Sequence, residues 1–295
     1  MTRFSGCMLG CAVGDSLGAS FEGTLDPRVE EMPFGGRWTD DTHMMLGIAE
    51  SLVERGGMDE EHMMRRFMEN YREEPWRGYG PGPPTIFRMV REGVPWGQAA
   101  GRLFHGEGSF GNGSAMRVAP IGLLYHRYPE RLREMAHRSS ALTHTHPLGK
   151  EGAALQAYAV SLALRADEVD PKEFLEEVER FARADVYREK MRTARDLLEA
   201  PRREVIRSLG HSVEAFRSVP TAIYSFARNP SDFSQAVTYA ISLGGDTDTI
   251  GAMCGSIAGA HHGEEGIPER WSQVERADHI RELSAVLERL AGEPL

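Results

Sequence analysis

The spacing of glycines restricts this chain more than any other feature. Gly6, Gly10, Gly14 and Gly18 recur every four residues near one end, and Gly251, Gly255 and Gly259 do the same near the other. On a helix, residues four apart share a face, so each set forms a smooth stripe that lets another backbone approach closely. The chain has 32 glycines, against roughly 20 at average usage, but their register is what predicts a pair of tightly packed central helices. Neither stretch reaches the ~20 uninterrupted apolar residues of a membrane span. No membrane partner is therefore expected.

Carboxylates crowd the approach to the second stripe. Ser242-Leu-Gly-Gly-Asp246-Thr247-Asp248-Thr249-Ile-Gly251 packs two acids and two hydroxyls behind a Gly pair, ahead of an apolar helix from Ile250 to Ala260. One Asp suffices to cap a helix and complement its dipole. A second, with no Lys or Arg nearby in sequence, places uncompensated charge beside a buried element unless a cation neutralises it. Trp38-Thr39-Asp40-Asp41-Thr42-His43 repeats the composition, opening a helix with apolar Met44, Met45, Ile48, Ala49 and Leu52. Hard divalent cations such as Mg²⁺ or Mn²⁺ take oxygen ligands, and two ions sharing them need several carboxylates. The two clusters together supply that count.

Five stretches in order resemble the ADP-ribosylglycohydrolase family: Gly14-Asp-Ser-Leu-Gly-Ala-Ser-Phe-Glu22, Thr39-Asp-Asp-Thr42, Gly78-Tyr-Gly80 with Thr85, Gly111-Asn-Gly-Ser-Ala-Met-Arg117, and Gly244-Gly-Asp-Thr-Asp-Thr249. They span nearly the whole chain. The resemblance implies a central dinuclear cleft in which Thr39, Asp40, Asp41, Asp246, Asp248 and Thr249 hold two Mg²⁺ or Mn²⁺ ions. It implies that Glu22 reaches this site and acts at the scissile bond; the carboxylate that transfers the proton is Glu22 or one of the aspartates, Asp40 or Asp41, and the sequence leaves that choice open. It also implies an ADP-ribose site in which Gly108 and Ser109 bind the diphosphate, Phe104 and Phe110 flank the adenine, and His144 contacts the ligand. Gly80, Gly111 and Asn112 belong to the same site.

A length of 295 residues allows two domains at ~100–200 residues each. A site shared by Asp40, Asp41, Asp246 and Asp248 argues for one domain over 1–295, since any cut between the motifs divides it. No Ser- or Pro-rich linker, repeat or low-complexity tract interrupts the chain. Cys7, Cys11 and Cys254 all lie in the small-residue helices; an odd count without a signal peptide fits buried, reduced thiols in a cytoplasmic protein. The net charge of −10 disfavours general nucleic-acid binding, which needs a basic surface.

No segment alternates with period two between turns, so the expected fold is all-α. Helices are expected over Phe4 to Ala19, Asp41 to Glu54, Asp59 (as cap) to Tyr71, Thr85 to Arg91, and from Pro95 at its first helical position to near His105. Others should begin at Ala115, Leu148, Pro171, Pro220 and Ser231, and a last amphipathic helix should run from Ser272 to Leu290 and dock on the outside. Pro27 to Gly36 reads as a mobile loop placed to cover the site. Arg77 to Thr85 and Gly106 to Ser114 are glycine-rich loops leading into helices, the kind of backbone that points N–H groups at phosphates. His146 reads as a helix cap. Asp167 to Arg207 reads as solvated surface without chemistry.

The function expected from the residues and the resemblance together is metal-dependent hydrolysis of the glycosidic bond between ADP-ribose and an acceptor on a modified protein or small molecule. Among acceptors, arginine is placed first by analogy with the family. Argued without the family, the same ion pair also suits a two-metal phosphohydrolase. A non-catalytic ADP-ribose-binding member of the fold is the third reading, and broken acidic motifs would mark it.

Overall fold

A computed structural model describes residues 2–27 and 34–293. Within them lie fifteen α-helices and no β-strand: α1 (Arg3–Gly18), α2 (Asp40–Arg55), α3 (Glu60–Glu73), α4 (Gly82–Arg91), α5 (Trp96–Ala99), α6 (Ala119–Leu124), α7 (Pro129–Ala141), α8 (Pro147–Arg165), α9 (Pro171–Phe181), α10 (Asp185–Asp196), α11 (Arg202–Leu209), α12 (Ala215–Arg228), α13 (Phe233–Ser242), α14 (Thr247–His262) and α15 (Ala277–Gly292). The all-α expectation is met. No described helix is long and apolar enough to cross a membrane.

The glycine stripes face one another. A Cβ added at Gly6, Gly10, Gly14 or Gly18 would lie 2.5, 2.2, 2.0 or 2.2 Å from the carbonyl oxygens of Gly259, Gly255, Gly251 and Thr247 respectively. The pairing runs in opposite directions, so α1 and α14 are antiparallel and in backbone contact along their whole length. Both are buried on nearly every side, which is why neither shows an amphipathic pattern. The end of α1 therefore meets the start of α14, where the Thr247 hydroxyl donates to Gly18 O at 2.8 Å. The other helices surround this pair: α8, α12 and α13 lie against α14, while α2, α6 and α15 lie against α1. The three cysteines are free and buried.

Several expected boundaries move, each for a local reason. Pro95 has extended ψ (131°) and stands before α5 rather than in its first turn, and the helix stops after four residues. A 3-10 turn (Ala100–Arg102) follows, Leu103 is extended with ψ of 156°, and Phe104 and His105 then both have positive φ (51° and 58°). No helix opens at Ala115; α6 starts at Ala119, and Pro120 sets that start because its missing N–H is harmless only in a first turn. Pro220 lies inside α12 instead of opening it, and a continuous buried face from Ala215 to Ala227 outweighs the one hydrogen bond the ring removes. α13 begins at Phe233 with Asp232 as its cap, accepting from Gln235 N at 2.8 Å. The last helix starts at Ala277, not Ser272, because the segment before it is recruited by the chain around residue 37. Glu275 N donates to Gly36 O at 2.8 Å, and Trp38 Nε1 donates to Glu275 O at 2.8 Å. The loop expected from Pro27 to Gly36 falls largely on residues 28–33, outside the described residues.

Candidate metal and ligand cleft

The antiparallel helix pair brings the two acidic motifs to the same place. The second motif begins α14, with Asp246 at its N-cap and Asp248 in its first turn. The preceding Gly244 and Gly245 take left-handed φ of 73° and 77°. A side chain at Gly245 would collide with His211 O at 2.1 Å, and one at Gly244 with Thr24 O at 2.6 Å. The glycines therefore allow residues 23–24 and 211 to clamp the loop, through Gly23 N to Gly245 O, Gly245 N to Thr24 O and Asp246 N to His211 O, all at 2.9 Å.

The first motif begins α2 and is held from α1. Both oxygens of Asp15 accept from Thr39 N (2.9 and 3.0 Å), and Oδ2 also accepts from Thr42 N at 3.0 Å and from the Thr42 hydroxyl at 2.6 Å. Asp15 thus caps the first turn of a helix to which it does not belong. Thr39 is the N-cap in sequence, and its hydroxyl donates to Asp41 Oδ2 at 3.1 Å. Arg77 fixes the neighbouring loop: it donates to Trp38 O at 3.1 Å and to both Glu275 oxygens at 2.7 and 2.8 Å, with its guanidinium 3.8 Å from the Trp38 ring centroid. Sequence reasoning assigned no role to Asp15 or Arg77.

Between the motifs opens a cleft of about 340 Å³. Glu22, Asp40, Asp41, Asp246, Asp248 and Thr249 line it together with Gly80, Phe104, Ser109, Gly111, Asn112 and His144. Three expected site residues lie off the wall. Thr39 is the cap of α2 and does not line the cleft. Gly108 is packed on Thr145, with φ of 74°. Phe110 is 42% exposed and rests edge-on against His146 (5.4 Å between ring centroids) and beside Phe216 (6.0 Å), so only Phe104 of the two aromatics faces the cleft. His146 caps α8, accepting from Leu148 N.

The glycine-rich loops differ in what they offer. The first runs into α4, whose opening turn contains Pro83 and Pro84, so two of the N–H groups a helix start would present are missing. The second is strapped to the segment before α12 through Asn112 N to Val213 O (2.9 Å) and Ala215 N to Phe110 O (3.0 Å). From it the Asn112 side chain reaches Asp246 Oδ2 at 2.5 Å and Ser218 Oγ at 3.0 Å.

Among the described residues the four acids are buried together and none is ion-paired. Burial, and then the charge of neighbouring carboxylates, pushes Asp40 up to about 7 and Asp41 and Asp248 well above the carboxylate range. Burial likewise raises Asp246, against the opposing hydrogen bond from Asn112. Asp41 Oδ1 is buried with no hydrogen-bond partner among the described residues. An unpartnered oxygen amid mutually repelling carboxylates suits a cation, and an all-oxygen donor set that includes the Thr249 hydroxyl fits a hard divalent ion. Among the described residues no three acidic, imidazole or thiol groups already stand in a closed ligand arrangement. The fit is one of donor chemistry and charge.

The comparisons with known proteins bear on the family and the fold. The family model described as ADP-ribosylglycohydrolase matches residues 1–294. The chain is 37% identical over 326 residues to the ADP-ribosylhydrolase ARH3 of Bos taurus, covering 92% of this chain and 88% of that one. It is 28% identical over 312 residues to the ADP-ribosylarginine hydrolase Tri1 of Pseudomonas putida (strain GB-1), covering 97% and 78%. A solved structure described as an ADP-ribosylglycohydrolase-related protein complex superposes with a TM-score of 0.78 at 33% identity, covering 98% of both chains.

Proposed function

This chain belongs to the ADP-ribosylglycohydrolase family, and from that premise we propose that it hydrolyses the glycosidic bond joining ADP-ribose to an acceptor, using two Mg²⁺ or Mn²⁺ ions. One observation carries the proposal: two acidic motifs more than 200 residues apart and a glycine-rich loop line a single cleft. In this reading Thr39, Asp40, Asp41, Asp246, Asp248 and Thr249 hold the ions. Bound there, the ions supply Lewis-acid polarisation and lower the pKa of water.

The chain's own residues do the rest. The Ser109 hydroxyl meets the diphosphate side of the ligand, Gly111 and Asn112 line the same stretch of the cleft, and that remote binding energy orients the distal ribose. Phe104 covers the adenine and His144 contacts the ADP-ribose. Glu22, exposed at the rim and close enough to Asp40 and Asp248 to influence both, transfers the proton to or from the leaving group, with Asp40 and Asp41 as the other carboxylates in reach. An arginine side chain is the acceptor we place first, by analogy with the relative whose name specifies it.

The test is to incubate the protein with an ADP-ribosylated peptide and Mg²⁺ and weigh the products. Release of intact ADP-ribose supports glycosidic cleavage. Release of AMP would identify a phosphohydrolase, and binding without turnover a non-catalytic member of the fold.

A further inference from the structure

Behind the cleft wall lies a buried cation that the proposed mechanism does not use. Arg117 has no exposed surface, and its guanidinium stacks on Phe67, 4.7 Å from the ring centroid. It forms no ion pair among the described residues. Its Nη2 donates to Ser139 O at 3.2 Å and to Thr143 Oγ1 at 2.8 Å, and the same Thr143 oxygen stands 2.7 Å from Nδ1 of His144. His144 lines the cleft. Its opposite edge faces the second glycine-rich loop: a Cβ at Gly113 would lie 3.1 Å from Nε2, and one at Gly111 would lie 3.6 Å from it.

We propose that Arg117 and Thr143 are positioning residues that fix His144 as the Nε2–H tautomer, so that it presents a hydrogen-bond donor to an oxygen of the bound ligand. The direction follows from what each group can do. A guanidinium only donates, so Thr143 Oγ1 accepts from Arg117. The threonine hydroxyl hydrogen is then left to point elsewhere, and Nδ1 of His144 is the one acceptor within hydrogen-bond distance among the described residues. An Nδ1 that accepts leaves the single proton of a neutral imidazole on Nε2. Burial, and then the charge of Arg117, pushes the imidazole down to about 3, so it stays neutral. Burial lowers Arg117 itself only to about 9, so it remains a donor near neutral pH.

The inference rests on the cleft being the ligand site, but its first readout does not. Long-range ¹H–¹⁵N correlation of histidine-labelled protein without ligand or metal, with His144 assigned by difference from His144→Gln, should show Nε2 protonated and Nδ1 bare. Thr143→Val should move His144 toward a mixture of tautomers and weaken ADP-ribose binding about tenfold by calorimetry, whereas Thr143→Ser should restore both. A protonated Nδ1 in the unaltered protein overturns the proposal whether or not any variant folds. So does a Thr143→Val protein with unchanged tautomer. If the tautomer and its response to Thr143→Val are as expected but ADP-ribose does not bind, the reading of the ligand fails and the relay stands.

Discussion

Asp15 Oδ2 lies 2.6 Å from the Thr42 hydroxyl, and this contact couples the central helix pair to the first acidic motif. α1 is fixed by α14 through backbone contact, Asp15 carries that placement to the first turn of α2, and Asp40 and Asp41 follow. The position of one acid pair relative to the other is thus set by a carboxylate assigned to neither. Asp15→Ala leaves Thr39 N and Thr42 N without their acceptor, and losing such a cap costs about 2 kcal/mol or less. Chemical denaturation should register that loss, and divalent-ion affinity should fall with it. Unchanged affinity in a folded variant would show that the motif does not depend on Asp15.

The helix pair itself can be probed at Gly14, where a methyl group would meet Gly251 O at 2.0 Å. Neither partner can move aside, because both atoms are backbone. Gly14→Ala should destabilise by ~1–3 kcal/mol or more, whereas Gly97→Ala, with nothing within 4 Å, should be neutral or stabilise by ~0.4–1 kcal/mol. Thermal melts of the two variants make the comparison. Equal melting temperatures would contradict the close approach.

Acid stability should depend on Glu151. Burial raises this carboxyl, but His137, the Arg183 N–H and Arg133 outweigh it and hold the group at about 2, against its ordinary 4.5. A folded-state pKa below the unfolded one contributes stability that is fully present above 4.5 and is lost as pH falls through that value toward about 2. Arg133 Nη1 lies 2.7 Å from Glu151 Oε2, and Arg183 N donates to Oε1 at 2.6 Å. Breaking a buried pair costs ~3–5 kcal/mol, so Glu151→Gln should be less stable by that order near neutral pH, and the gap should close on acidification. A gap independent of pH would rule out the pair as its origin.

Much of this architecture is legible in the amino-acid order. The i+4 glycine spacing finds the central helices because close packing leaves a local signature, and the doubled Asp motif finds the acids because two carboxylates exceed what a cap requires. Asp15, Arg77 and Arg117 stayed hidden because their work is tertiary: each bonds to a backbone group or hydroxyl more than 20 residues away. A signal did exist for two of them. Asp15 sits in the middle of a small-residue stripe, and Arg117 precedes the apolar run Val118 to Leu124, so both had to be buried and therefore partnered. Pro220 misled because the rule that proline opens helices is local, whereas the face of α12 is chosen by its neighbours.

Glu22 should separate rate from binding. It is exposed at the cleft rim, and its side chain makes no hydrogen bond among the described residues, so Glu22→Ala should leave ADP-ribose affinity within a few-fold while lowering turnover by ~10²–10⁴. Single-turnover rates alongside calorimetry separate the two quantities. Full turnover in this variant would remove Glu22 from the chemistry and leave proton transfer to Asp40 or Asp41.

The central claim is that side chains from opposite ends of the chain hold the same ions. Mn²⁺ titration followed by electron paramagnetic resonance, on the unaltered protein and on Asp41→Ala and Asp248→Ala, tests it most directly. The account predicts about two ions per chain and loss of high-affinity binding when either aspartate is removed, with helical content retained. Undiminished Mn²⁺ binding in either variant, or none in the unaltered protein, would contradict it.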